Sequence, residues 1–141
     1  MADCILCKVI AHEAPGSFVY EDERVVAFMD LYPVNRGHVL VVPRDHVEAL
    51  PDLPEEDWLH VSGVAKRIAG AIRASEVRSE GVNMLLADGQ AAFQEVPHVH
   101  VHVFPRFRGD SFRIDAKWAK GSRGELDEVA GELRRHLRHN E

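Results

Sequence analysis

The chain has 141 residues, of which 45% are hydrophobic and 28% are charged, and its formal net charge is −6. This length and composition predict a single globular domain over residues 1–141, and the negative charge argues against binding to a nucleic acid polymer. No apolar run approaches the roughly 20 residues that span a bilayer, and no secretory signal opens the sequence. We therefore expect a cytoplasmic protein that does not bind a membrane.

The first half of the sequence predicts a hairpin, a buried strand and a long helix. Residues 18–30, FVYEDERVVAFMD, hold two β-rich runs around a charged turn. Residues 38–43, HVLVVP, are nearly all apolar, which is typical of a buried central strand. Pro54 and three acidic residues favour a helix start at Glu55. Apolar residues then recur near the helical period: Leu59, Val61, Val64, Ala65, Ile68 and Ile72.

The second half predicts two further strands and a last helix. Residues 81–88, GVNMLLAD, and residues 98–104, HVHVHVF, have the composition or the alternation of strands, and residues 105–124 suit a loop. Apolar residues line one face of a C-terminal helix: Leu126, Val129, Ala130, Leu133 and Leu137. This order predicts an α+β fold, with an antiparallel sheet, a long central helix and a C-terminal helix.

Three of the nine histidines alternate with valines over residues 98–103. On a strand, His98, His100 and His102 would share one face, and the valines between them would pack into the core. The outer two Cα atoms would lie roughly 13 Å apart, whereas a zinc ligand lies only about 2 Å from its ion. A single metal site made of all three histidines is therefore disfavoured.

Other interpretations of this row remain open at the level of composition. The residues could form a solvated polar face, or belong to a metal-storage protein together with the cysteines. A catalytic row would use a neutral imidazole as the nucleophile, with its second nitrogen held by a hydrogen bond. The chemistry that suits such a row is group transfer through a covalent histidine adduct, most simply at phosphorus.

The motif HVHVHVF resembles the signature of the histidine triad (HIT) family of nucleotide hydrolases and transferases, in its bacterial zinc-containing type. The resemblance extends over nearly the full chain. It includes CKVI, VYEDERVVAFMDLYPVNRGHVLVVPRDHVEAL and GVNMLLADG, in the family's order and spacing. The resemblance implies a HIT-like fold and a homodimer, to which the helix from Glu55, with Trp58, could supply a contact face.

The resemblance also implies a mechanism that needs no catalytic metal. His100 would attack the α-phosphorus of a nucleotide, His102 would assist at the phosphate or leaving-group oxygen, and His38 would support the triad. A purine nucleotide is the expected substrate, and a dinucleoside polyphosphate is favoured over a phosphoramidate. The alternative is a nucleotide-binding or scaffold protein that has the fold without turnover.

Further positions match the family's nucleotide-binding residues. Asp30 matches the acid that accepts the ribose hydroxyls, and Asn83 and Gln94 match polar groups near the phosphate. Phe93 stands where the family usually has glycine, and Pro97 where a larger residue is common, so the phosphate loop is expected to differ in shape. Five apolar residues match the positions that form the wall of the family's base pocket: Ile5, Leu6, Val9, Phe28 and Leu31.

Cys4 and Cys7 form a Cys-x-x-Cys motif, which could be a redox pair, half of a zinc site or two reduced buried cysteines. A structural zinc needs two more ligands. Resemblance to the zinc-containing members supplies His46 and His98 for this role, so that His98 would bind structural zinc and leave the other two triad histidines for chemistry. The remaining histidines carry no motif and are interpreted as surface residues: His12, His60, His136 and His139.

Overall fold

The computed structural model describes residues 3–137, which form a five-stranded antiparallel sheet and three α-helices. The helices are α1 (Ile5–Ile10), α2 (Glu55–Ala74) and α3 (Arg123–Leu137). The strands are β1 (Phe18–Glu21), β2 (Val25–Met29), β3 (Val39–Pro43), β4 (Gly81–Leu86) and β5 (Val101–Arg106). The α+β prediction is confirmed, with its long central helix and its C-terminal helix.

The strands lie in the order β1-β2-β3-β5-β4, and every neighbouring pair is antiparallel. β3 is the middle strand, and all five of its residues are buried, as its apolar run predicts. The β1–β2 hairpin is held by Asp22, whose Oδ1 accepts the backbone N–H groups of Arg24 and Val25. The other carboxylate oxygen of Asp22 bonds Tyr20 and His60, which attaches the hairpin to α2.

Two hydrophobic clusters lie on opposite faces of the sheet. On the first face, alternate strand residues such as Val41 and Val103 pack under α2, together with Val64 and Ile68. On the second face, the intervening residues such as Leu40 and Val42 pack against α1 and the two cysteines. His102 pairs with Leu40 across β3 and β5, so it lies on this second face.

The last strand begins later than the sequence predicts. His98 and His100 precede β5, which runs from Val101 to Arg106. The N–H of His98 bonds the carbonyl of Val96, and the N–H of Val99 bonds the carbonyl of Val47. Neither bond belongs to the sheet ladder, so the strand predicted over residues 98–104 is shorter at its start than the alternation indicates.

Two helical details complete the comparison with the sequence. In α2, Leu59 is 61% exposed, so it does not belong to the buried face that the periodicity assigns to it. In α3, the predicted apolar face is present, but no residue of the helix is buried. In the part of the chain that the structure describes, no helix combines the length and the apolar character needed to cross a membrane.

The histidines without a motif lie mostly at the surface. His12 lies beside Glu21 and His136 beside Glu132, both in exposed pairs. His60 is about one-third exposed and bonds Asp22, which links α2 to the β1–β2 hairpin. Its sequence context does not predict this contact. His139 lies outside the described residues.

Candidate functional site

The ends of three neighbouring strands bring a cluster of histidines together. His38 immediately precedes β3, His102 lies in β5 beside it, and His100 comes just before β5. Asp30 follows β2 and completes the group. Gly37 has a φ of +106°, and a Cβ there would lie 2.8 Å from Val77, so only glycine fits the turn that leads into His38.

His100 has the hydrogen bonding of a nitrogen nucleophile. Its Nδ1 lies 2.6 Å from the backbone carbonyl oxygen of His98. A carbonyl can only accept a hydrogen bond, so Nδ1 must carry the ring proton. In the neutral ring the lone pair is then on Nε2, which is the tautomer that a nucleophile needs. The rings of His100 and His102 are adjacent, with centroids 4.9 Å apart.

A second chain of hydrogen bonds orients His102. The backbone N–H of Val34 donates to Nδ1 of His38 at 2.9 Å, so the neutral His38 ring carries its proton on Nε2. That nitrogen lies 2.9 Å from Nδ1 of His102 and 3.4 Å from a carboxylate oxygen of Asp30. Accepting at Nδ1 leaves the His102 proton on Nε2, where it can be donated.

The electrostatics of this chain favour neutral rings. Burial lowers the pKa of His38, although the Asp30 carboxylate acts in the opposite direction. Burial, followed by His100 and His38, lowers the pKa of His102 to about 4, against the raising effect of Asp30. Near neutral pH, both rings therefore keep the single proton that the hydrogen-bond pattern requires.

Asp30, His38 and His102 also lie close enough together to be considered as metal ligands. Their hydrogen bonding does not suit that role. A metal on Nε2 of His38 would require the proton on Nδ1, where it would face the N–H of Val34. The group is better described as a hydrogen-bonded relay that fixes the tautomers of two imidazoles.

The positions matched to the nucleotide pocket divide into buried and exposed residues. Leu6, Val9 and Phe28 belong to the cluster beneath α1 and are at most 7% exposed. Ile5 is 49% exposed and Leu31 is 82% exposed, so these two have surface free for a ligand. Oδ1 of Asp30 accepts the N–H of Tyr32, and its other oxygen faces the histidines.

The two predicted phosphate-side amides are engaged by the protein itself. Oδ1 of Asn83 accepts a hydrogen bond from Arg106. Oε1 of Gln94 accepts the N–H of Gly89, and its Nε2 donates to the carbonyl of Glu48, so the amide braces the loop that leads to His98. Phe93 in this loop has a φ of +70° and is 85% exposed, so the substitution for the family's glycine is accommodated in a left-handed conformation.

The four predicted metal ligands form one compact cluster. The two Sγ atoms, Nδ1 of His46 and Nδ1 of His98 all lie within 4.8 Å of one another. Nε2–H of His98 donates to the carbonyl of Pro43 at 2.9 Å, which leaves Nδ1 free to bind a metal. Cys4 is the N-cap of α1, and burial raises the pKa of the Cys7 thiol. Two sulfurs and two nitrogens at this spacing fit tetrahedral zinc.

An ionic network lies close to the histidine cluster and was not predicted from the sequence. Asp110 is 6% exposed and accepts two hydrogen bonds from the guanidinium of Arg106 and one from Asn35. These bonds, led by that from Arg106, hold the pKa of Asp110 well below its usual range. The partners come from separate segments, and the i,i+4 spacing of Arg106 and Asp110 was the only sign in the sequence.

Comparison with known proteins gives a consistent result. The family model described as "HIT domain" matches residues 11–109. An uncharacterized HIT-like protein of Methanocaldococcus jannaschii is 39% identical over 93% of this chain and 98% of its own length. The adenosine 5′-monophosphoramidase of Saccharomyces cerevisiae is 37% identical over 74% of this chain and 63% of its own length.

Solved structures share the architecture. A hypothetical protein from Leishmania major has a TM-score of 0.87 and 34% identity, with 98% of each chain covered. A zinc-bound histidine triad family protein from Mycobacterium smegmatis has a TM-score of 0.75 and 37% identity, with 99% of each chain covered. The similarity therefore extends over nearly the whole chain, including the segments that carry the histidine cluster and the four-residue cluster of Cys4, Cys7, His46 and His98.

Proposed function

This chain belongs to the HIT domain family, and from that premise we propose that it is a nucleotide hydrolase with His100 as its nucleophile. The observation that carries the proposal is the hydrogen bond from Nδ1 of His100 to the carbonyl of His98, which leaves a lone pair on Nε2. A surface histidine or a purely structural one would not need that tautomer.

The reaction would proceed in two displacements. Nε2 of His100 attacks the α-phosphorus of a nucleotide, and the bond from phosphorus to the leaving group breaks, so that the leaving atom departs with the bonding electron pair. The Nε2–H of His102 donates a hydrogen bond to that atom and stabilises the charge it gains. The carbonyl of His98 stabilises the positive charge that the substituted His100 ring acquires. Water then attacks the phosphorus, and the bond from phosphorus to Nε2 of His100 breaks. A nucleoside monophosphate leaves, the neutral His100 ring is restored, and the proton lost by the water passes to solvent.

Two substrate classes fit this chemistry. The residues after the triad favour a dinucleoside polyphosphate, as the sequence analysis predicts. The names of two fungal relatives, both adenosine 5′-monophosphoramidases, favour AMP joined to an amine. A purine base, a homodimer, a cytoplasmic location and one domain over residues 1–141 remain predictions.

The test is AMP release from diadenosine tetraphosphate and from adenosine 5′-phosphoramidate, measured in parallel. We expect His100→Ala to lower release by at least about a thousandfold, because it removes the attacking atom. His12→Ala, which changes an exposed histidine, is the matched control and should keep full activity. The ratio between the two substrates identifies the branch.

Two outcomes would count against the proposal. Release that persists in His100→Ala would mean that another group is the nucleophile. A wild-type protein that binds AMP but releases none from either substrate would support the non-catalytic nucleotide-binding alternative.

We also propose that Cys4, Cys7, His46 and His98 bind one structural zinc ion per chain. The donor set and its spacing support this, as does the zinc-bound relative from Mycobacterium smegmatis. The ion would join the start of the chain to the segments that carry His46 and His98, and it would supply no step of the reaction. Metal analysis should find one zinc per wild-type chain, and a value near zero for Cys4→Ser. Two or more zinc ions per chain would instead favour metal storage.

A further inference from the structure

Phe93 combines an unfavourable backbone conformation with a side chain that its own chain does not bury. Its φ of 70° and ψ of 32° are left-handed, a conformation that glycine adopts without cost and a bulky residue rarely adopts. The ring is nevertheless 85% exposed. Exposure alone is ordinary for an apolar residue. Exposure together with backbone strain is not, because strained residues persist mainly where a ligand or a switch uses them.

The loop around Phe93 holds the ring in a fixed place. The backbone N–H of Phe93 donates to the carbonyl of Gln90 at 3.0 Å, and that of Gln94 donates to the carbonyl of Gly89 at 3.2 Å. The side-chain amide of Gln94 is bonded at both ends, to Gly89 and to Glu48. These bonds fix the direction in which the side chain of Phe93 leaves the backbone. A ligand that meets the ring therefore pays little of the cost of ordering it.

The same loop begins and ends beside the nucleophile. It connects β4 to the residues before β5, and the ladder between these strands pairs Leu86 with Val101, which directly follows His100. Phe93 lies near the middle of this loop, and the carbonyl of His98 at its end accepts the proton of His100. A leaving group several bonds long can therefore extend from the attacked phosphorus over the loop.

An open cavity of about 320 Å³ lies against this loop. Ligand sites begin near this size, so the cavity suits one ring system rather than a whole nucleotide. Among the described residues that line it, three carry carboxylates, from Glu48, Asp88 and Glu95, and none is a lysine or an arginine. Such a lining repels phosphate, but it accepts hydrogen bonds from an amino group such as that of adenine.

We propose that Phe93 determines specificity for the leaving group, because its ring stacks on the base of the nucleotide that departs from a dinucleoside polyphosphate. The proposal rests on the proposed hydrolase function and names its substrate class. Stacking on an aromatic side chain tolerates any base, since every base has a π-face. The contact selects a leaving group that carries a second nucleoside over a bare phosphate or an amine. The base covers the exposed ring, which offsets the cost of the left-handed backbone.

The test compares three substrates that share the adenylyl group and differ in what leaves. Diadenosine tetraphosphate loses a group with a second adenine, adenosine 5′-tetraphosphate loses triphosphate, and adenosine 5′-phosphoramidate loses ammonia. Phe93→Leu keeps an apolar side chain but removes the aromatic face. We expect it to lower kcat/KM for diadenosine tetraphosphate at least about fivefold, and to leave kcat/KM for the other two substrates within about twofold of wild type.

Two further variants separate stacking from the shape of the loop. Phe93→Tyr keeps the aromatic face and should keep the wild-type preference for diadenosine tetraphosphate. Ala91→Ser changes another exposed residue of the loop and should leave all three rates unchanged. Equal losses on the three substrates in Phe93→Leu would show that the ring only shapes the loop. Unchanged rates in that variant would show that the ring does not meet the leaving group, and either result overturns the proposal.

Failure of the hydrolase function itself is distinguishable from failure of this subsite. A wild type that releases AMP from none of the three substrates would refute the hydrolase, and calorimetric binding then tests the stacking. Wild type should bind diadenosine tetraphosphate at least about fivefold more tightly than adenosine 5′-tetraphosphate, and Phe93→Leu should lose this difference. Equal affinities of wild type for the two compounds would overturn the proposal.

Discussion

His98 serves both sites of the molecule through different atoms. Its ring lies between the two cysteines and the carbonyl of Pro43, and its own backbone carbonyl accepts the proton of His100. In the roles proposed above, His98 is a zinc ligand and His100, two residues later, is the nucleophile. Only the structure shows that the backbone carbonyl of His98 also fixes the tautomer of His100.

The depressed pKa of His102 predicts a loss of stability in acid. The unfolded chain takes up a proton near pH 6.5, whereas the folded chain resists it down to about pH 4. The folded state therefore binds fewer protons between these values, and stability falls as the pH drops through this window. The side chain is 23% exposed, and we expect a cost of about 2 kcal/mol at pH 5 from this group.

Urea unfolding at pH 7.5 and pH 5 measures this effect. His102→Gln should lose about 2 kcal/mol less than wild type between the two pH values, since it has no proton to exclude. Other acid-sensitive groups act on both proteins and cancel in the difference. Equal losses in the two proteins would show that His102 titrates at its ordinary value.

Side-chain identity could be predicted at this scale, but ring orientation could not. The alternation of histidines and the Cys-x-x-Cys motif, together with the resemblance to the HIT family, led to His38, His100, His102 and the four clustered residues. The tautomers depend on the N–H of Val34 and the carbonyls of Pro43 and His98. Backbone groups are the same at every position, so no pattern of residue types reveals which of them points at an imidazole.

At the scale of elements, α2 is the helix that the sequence predicts best. Its buried residues repeat at the helical period, and they pack on the strand residues that face them. Leu59 was grouped with these residues, but it lies two positions before Val61, about 200° round the helix, and is therefore exposed on the outer face. Trp58 packs against the cluster in its place.

This difference provides a matched pair of substitutions on one helix. Ile68→Ala, at a site that is 5% exposed, should cost about 3 kcal/mol of unfolding free energy through lost burial and a cavity. Leu59→Ala removes a comparable side chain from a site that is 61% exposed and should cost less than about 1 kcal/mol. Denaturant unfolding compares them, and similar costs would contradict the assigned burial.

Strict alternation predicts which side chains near β5 are buried, but not where the strand begins. The valines of HVHVHVF are buried as predicted, but the ladder starts only at Val101. His98 turns toward two cysteines that lie more than ninety positions earlier in the chain. A contact between such distant segments leaves no trace in the local pattern that suggested a continuous strand.

At the scale of the molecule, the four-ligand cluster joins three segments that the sheet does not pair with one another. These are the start of α1, the turn after β3 and the residues before β5. The second hydrophobic cluster packs beside them, whereas α2 lies across the sheet. Loss of a bound zinc should therefore loosen one face of the molecule first.

Hydrogen exchange with and without a zinc chelator tests this division. Amides near Cys7, His46 and His98 should exchange at least tenfold faster after chelation, since local opening becomes easier. Amides of α2 between Val61 and Ile72 should keep their rates. Equal acceleration in α2 would mean that the ion supports the whole fold, and no change anywhere would mean that it supports none of it.

The two faces of the sheet also differ in which amino-acid substitutions they can accept during evolution. Neighbouring positions on one strand, such as Val41 and Val42, face different layers. Substitutions that improve packing under α2, and so raise thermal stability, leave the histidine cluster on the other face of the sheet unchanged. Substitutions on the other face also alter the surroundings of the histidines, because Leu40 pairs with His102. Alternate positions along β3 thus differ in whether a substitution reaches the histidine cluster.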